Sequence, residues 1–265
     1  MPNTFKTLRF EVVDQVATLT LDNPSKRNAL DAAMREEFSG VVRRVRSERD
    51  IRALILTGAN GHFCSGGDLR NIATAGLDNA GWRSRMQDLH AWLGDLLTLD
   101  RPVIAAVDGA AAGAGFSLAL AADFVLATPR ARFCMSFLKV GLVPDCGAFY
   151  SLPRFVGVQR AKELMLSARD IDGAEALKLG LAMELHAPEQ LLPRAQAMAA
   201  SFVHASPMAV SLVKRALADW GAGLPALLDQ EANAQALAMG SPEHRTAVNR
   251  FVNKEAPLFQ WPTLP

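Results

Sequence analysis

Two stretches of small residues stand out as places where backbone could do chemistry. Ser65-Gly66-Gly67-Asp68 and Ala110 to Gly115 carry little side-chain bulk, so their N–H groups are open to a ligand. Two such loops aimed at one point make an oxyanion hole, which polarises a carbonyl oxygen without reorganising flexible side chains. Asp145, in Val143-Pro144-Asp145-Cys146-Gly147, reads locally as a candidate cap of a helix starting near Gly147. Other chemistries fail on spacing. After Gly113 and Gly115 the third position of a dinucleotide fingerprint is Leu118, and no P-loop occurs. Gly115-Phe116-Ser117-Leu118-Ala119 approaches a nucleophile elbow, but Ser117 lies well past the strand, inside the following helix. His62, His90, His186, His204 and His244 form no i,i+4 pair, so no metal site is expected.

Both loops follow short apolar runs, Ala53–Thr57 and Val103–Val107, and both precede helical patterning. Leu8–Val13 and Val16–Leu21 flank Asp14-Gln15 and predict a β-hairpin. Asp31 caps a predicted helix with Met34, Phe38, Val41, Val42 and Val45 on one face, while Arg35, Glu36, Arg43 and Arg44 point to water. Trp82–Leu99 reads as a second helix, and Phe124–Ala127, Arg132–Met135 and Leu181–Leu185 as further extended runs. The class is α/β. After Pro188 only helical segments follow, beginning near Glu189, Pro207, Leu224 and Ser241 and divided at Gly221–Gly223 and Gly240–Pro242. The expected division is a core over 1–190 and a helical region over 191–265.

Of 265 residues half are apolar, enough for a full core, and 28 Lys plus Arg against 27 Asp plus Glu leave no field for nucleic acid. Apolar stretches are too short to span a bilayer, so no membrane partner is expected. Cys64, Cys134 and Cys146 form no CxxC pair and no even framework, which points to a reducing, cytoplasmic setting.

His62-Phe63-Cys64-Ser65-Gly66-Gly67-Asp68-Leu69 resembles the first oxyanion-loop motif of the enoyl-CoA hydratase/isomerase (crotonase) family, and Gly109–Gly115 resembles the second. The resemblance continues in order through Asn23-Pro24, Asn28-Ala29-Leu30, Arg101–Val107, Ala122-Asp123 and Gly141–Asp145. It implies a spiral of ββα repeats closed by C-terminal helices, an acyl-CoA thioester substrate, no cofactor apart from the CoA of that substrate, and trimers or hexamers. It further implies oxyanion donors at the Ser65 and Ala114 N–H groups. Contacts to CoA and acyl chain would come from Lys26, Arg27, Ala29, Leu30, Gly66, Gly67, Asp68, Leu69 and Phe137, with Lys254 a further candidate for phosphate. Asp68 is expected chiefly as a helix cap.

The family's hydratases carry two glutamates, and here those positions hold Ser117 and Phe137, neither of which exchanges protons usefully. One carboxylate suffices for double-bond isomerisation, and Ser136–Gly147 looks like the segment in which phenylacetate-pathway isomerases of the family place their base, at the position of Asp145. Hydration, aryl-CoA dehalogenation through Asp145 and His90, and acyl-CoA binding without catalysis are the alternatives. Dehalogenases of the family place a tryptophan N–H where Phe137 offers no donor. His90 also reads as a partly buried helix residue beside Trp92.

Overall fold

The computed structural model describes residues 5–218, 221 and 223–263; the first four residues, and Ala222 of the predicted break at Gly221–Gly223, lie outside them. The opening hairpin pairs β1 (Leu8–Val13) with β2 (Val16–Leu21), turning through Asp14 and Gln15, both at positive φ as a tight two-residue hairpin requires. Helix α1 (Ala32–Ser47) starts where Asp31 accepts the Met34 N–H at 3.0 Å, and the predicted apolar face is buried. Asp31→Ala is expected to cost about 1 kcal/mol, the usual worth of such a cap, lowering Tm by about 2–4 °C in a thermal melt. An unchanged Tm would show that the cap contributes nothing here.

β3 (Ala53–Gly58) leads through the first loop into α2 (Leu69–Thr74) and α3 (Asn79–Leu97). β4 (Val103–Val107) leads through β5 (Ala110–Ala112) into α4 (Ala114–Ala119), then β6 (Phe124–Ala127) and β7 (Arg132–Cys134). α5 (Ala148–Ser167), β8 (Asp170–Asp172), α6 (Gly173–Lys178) and β9 (Glu184–Leu185) complete the α/β part. The larger sheet runs β1-β2-β3-β4-β6-β9, parallel from β2 onward, and the smaller runs β5-β7-β8. Leu54 and Leu56 face one core cluster, Ala53 and Ile55 the other, the two-residue alternation of strands buried on both faces. Each such Leu or Ile contributes about 1.5–3 kcal/mol of burial.

α7 (Pro188–Ser201) crosses the expected boundary at 190 and packs Leu191, Ala195 and Met198 on the second face of the sheet. The helices beyond it are α8 (Pro207–Ala218), α9 (Leu224–Met239) and α10 (Pro242–Val252). Two sequence expectations need adjustment. Only Glu184 and Leu185 of the run Leu181–Leu185 join a strand, because the N–H groups of Leu181 and Ala182 turn back to the Ala176 carbonyl and close α6. Ala110–Ala112, expected as loop, pairs with Arg132–Cys134 as a strand; three alanines carry no periodicity from which to read it.

Candidate active site

The two small-residue loops are stitched directly together. Cys64 N–H donates to the Ala110 carbonyl at 2.9 Å, and Ala112 N–H to the Cys64 carbonyl at 3.0 Å. Glycine permits this approach: a Cβ at Gly115 would stand 2.2 Å from the Cys64 oxygen, and one at Gly66, where φ is +97°, 2.6 Å from the Ala112 oxygen. Buried Asn28 fixes the first loop from behind, donating to the Ala59 and His62 carbonyls at 3.0 and 2.8 Å while its Oδ1 accepts the Asn23 N–H at 2.8 Å. Burial pushes the Cys64 thiol up to about 12, so it is neutral packing rather than a nucleophile.

The expected donor at Ser65 requires correction. Its N–H already donates to the Arg27 carbonyl at 3.1 Å and its hydroxyl to the Lys26 carbonyl at 2.9 Å, so Ser65 ties the loop to its neighbour. The first-loop residue that lines the cavity is Gly67, whose N–H has no acceptor among the described residues. Ala114, the first residue of α4, has no intrahelical acceptor for its N–H. Gly67 and Ala114 line one cavity of about 440 Å³, together with Leu30, Trp82, Met86, Leu89 and Asp145.

Asp145 enters this cavity from a sharp turn. Cys146 and Gly147 follow it at φ 49° and 74°, and Gly147 makes no side-chain cap to α5. The capping role considered for Asp145 is therefore absent: its Oδ1 is buried without a partner. Burial raises the Asp145 pKa above the ordinary carboxylate value, while the Cys146 thiol and the charges of His90, Arg35 and Arg85 act in the opposite direction. His90 is exposed on α3, not partly buried as expected, whereas its neighbour Trp92 is buried. Arg35 is corrected as well. It leaves the solvent face assigned to it and lines the cavity, as does Arg85.

The remaining expected contacts divide by location. Leu30 is in the cavity wall, while Ala29, Gly66, Asp68 and Phe137 are buried in the structure around it and Leu69 turns outward, 50% exposed. Asp68 caps α2, accepting Arg70 and Asn71 N–H at 3.1 and 3.3 Å. Lys26 is held by Asp31 at 2.7 Å and Asp68 at 2.9 Å, so a phosphate would compete with two carboxylates for it. Arg27 is exposed at φ 50° and in no ion pair among the described residues, which leaves it the freer charge. Ser117 is fully buried, its hydroxyl bonded back to the Gly113 carbonyl at 3.3 Å. Lys254 lies just beyond α10 at φ 60°.

Paired backbone donors, one carboxylate and two arginines in a cavity walled mainly by apolar side chains, carried on an α/β core with a helical C-terminal region, define a protein of the crotonase fold. A family model described as enoyl-CoA hydratase/isomerase matches residues 11–261. A probable enoyl-CoA hydratase of Rhodobacter capsulatus is 39% identical over 257 residues, 96% of this chain and 98% of that protein. The 1,2-epoxyphenylacetyl-CoA isomerase of Escherichia coli is 35% identical over 247 residues, 92% and 94% of the two chains. The crystal structure of an enoyl-CoA hydratase/isomerase from Cupriavidus metallidurans matches with a TM-score of 0.92 at 44% identity, covering 99% of this chain and 100% of that one. The chain thus belongs to the enoyl-CoA hydratase/isomerase family and is an enzyme of the crotonase superfamily. No described helix is long and apolar enough to cross a membrane.

Proposed function

We propose that this enzyme shifts a double bond in an unsaturated acyl-CoA, with Asp145 as proton shuttle and the N–H groups of Gly67 and Ala114 as oxyanion donors. One observation carries the reading: Asp145 is the carboxylate in the cavity wall, while the two positions at which the resemblance places hydratase glutamates hold back-bonded Ser117 and buried Phe137. The similarity to an E. coli isomerase supports it. The ionised Asp145 removes a proton from the α carbon of a β,γ-unsaturated thioester. The C–H electron pair becomes the double bond between the thioester carbon and the α carbon, and the carbonyl pair moves onto the oxygen, giving a dienolate whose oxygen is held by the two N–H groups. Collapse of the dienolate takes the same proton back at the γ carbon and restores both thioester and carboxylate. No cofactor takes part beyond the CoA of the substrate.

Self-association belongs to the same proposal. Leu217, Leu228, Leu237, Phe251 and Val252 expose apolar side chains along α8 to α10, a surface suited to trimer formation.

The test is turnover of paired β,γ- and α,β-unsaturated thioesters, following double-bond position and water addition separately. Isomerisation without net hydration is expected, and hydration alone would overturn the reading. The pH dependence follows from the same carboxylate. Because burial raises its pKa, kcat/KM is expected to rise with pH through a midpoint above the ordinary aspartate value of about 3.9. An acid limb at or below that value would remove Asp145 as the base.

A further inference from the structure

The cavity carries more positive charge than the proposed proton shuttle uses. Arg35 from α1 and Arg85 from α3 line it beside Asp145, and the buried Nε of Arg85 has no acceptor. Neither guanidinium is in an ion pair among the described residues; Arg85 stacks over the Trp82 ring at 5.1 Å. Desolvation and the proximity of Arg85 both lower the pKa of Arg35. Asp145 neutralises at most one of the two, and leaving the Nε–H of Arg85 buried without an acceptor is costly. An anion brought by the ligand would satisfy the unused donors, and the planar fork of arginine matches a carboxylate in two parallel hydrogen bonds.

Location determines which part of the substrate that anion belongs to. Asp145 must reach the α and γ carbons, so the side chains around it meet the acyl group rather than the nucleotide. Leu30, Ile72, Met86 and Leu89 line the same cavity and suit a short hydrocarbon stretch. We infer that the acyl group ends in a carboxylate held by Arg35 and Arg85, so that the enzyme acts on mono-thioesters of unsaturated dicarboxylic acids. The inference rests on the proposed isomerase reading for which end of the cavity receives the acyl chain.

The test compares two β,γ-unsaturated CoA thioesters of equal length, one ending in a carboxylate and one in a methyl group, with wild type, Arg35→Gln, Arg85→Gln and the double variant. Calorimetry with the saturated, unreactive versions of both measures recognition apart from turnover. In wild type, kcat/KM and affinity are expected to favour the carboxylate by about tenfold or more, the scale of one charge-assisted hydrogen bond. The double variant should bring that ratio close to one. If wild type isomerises the methyl-ended thioester and neither turns over nor binds the carboxylate better, the inference falls and the isomerase reading stands. If the saturated carboxylate binds more tightly but neither substrate is isomerised, the isomerase reading falls and the carboxylate site stands. If both substrates slow equally in the variants and the ratio holds, the arginines only tune Asp145 and the inference is overturned.

Discussion

Asparagine at position 145 is expected to slow isomerisation by about a hundredfold or more while thioester binding persists. Asn keeps the shape and a hydrogen-bonding tip but cannot take a proton, and positioned proton transfer contributes about 10²–10⁴ in rate. Stability should change in the opposite direction. Folding raises this carboxyl's pKa, so the native state holds the charged form less readily than the unfolded chain does. The ionised form therefore lowers stability, fully so above the folded pKa, and the penalty fades as pH falls through that pKa towards the unfolded value. Asp145→Asn should consequently melt at a higher temperature than wild type at neutral pH, and lose that advantage below the ordinary carboxylate range. A variant that is slower and also more stable is not a misfolded one. If it isomerised as fast as wild type, Asp145 would have no part in proton transfer.

The place of Asp145 in the cavity wall was anticipated through the resemblance of Ser136–Gly147 to a segment of the family's isomerases, not through any local pattern. The first-loop residue that brings a free N–H to the cavity was legible only to within two residues. Ser65, Gly66 and Gly67 are alike in offering a bare N–H, and the choice among them depends on which groups the neighbouring chain occupies. Arg27 contributes the carbonyl that takes the Ser65 N–H, a contact between segments 38 positions apart that no local pattern encodes. Arg35 was misread for a related reason. Helical periodicity places it away from the apolar face of α1, which is correct for the sheet-facing core, yet a second body, α3, stands beside that flank and encloses a cavity with it. A two-sided pattern of apolar and polar residues distinguishes core from not-core; it does not distinguish water from a pocket lined by another helix. Asn28 was recognised as part of a motif, and its role became physical only in three dimensions, where one amide serves three backbone groups across the loops.

The second large effect is expected from Ala114→Pro, with a loss of about 10²–10³ in kcat, the usual consequence of deleting one oxyanion donor. Proline lacks the N–H proposed as donor at Ala114, and it occupies the first position of a helix without loss, since that N–H has no intrahelical acceptor. Its restriction on the preceding residue falls on Gly113, which has no Cβ to clash and whose ψ of −124° lies outside the helical region that proline disfavours. Helix α4 and the stitch between Cys64 and Ala110–Ala112 should therefore survive, and an unchanged melting temperature would check this. The diagnostic reading is exchange of the α proton of a saturated acyl-CoA with deuterated solvent, which requires the enolate and nothing later. Exchange should fall in parallel with isomerisation if the Ala114 N–H holds the enolate oxygen, because both reactions pass through the same negative charge. Undiminished exchange in a folded variant would place that oxygen elsewhere and leave Gly67 without a second donor. Parallel losses in Ala114→Pro and Asp145→Asn would instead locate donor and base on one reacting carbon framework, as their positions in a single cavity wall require.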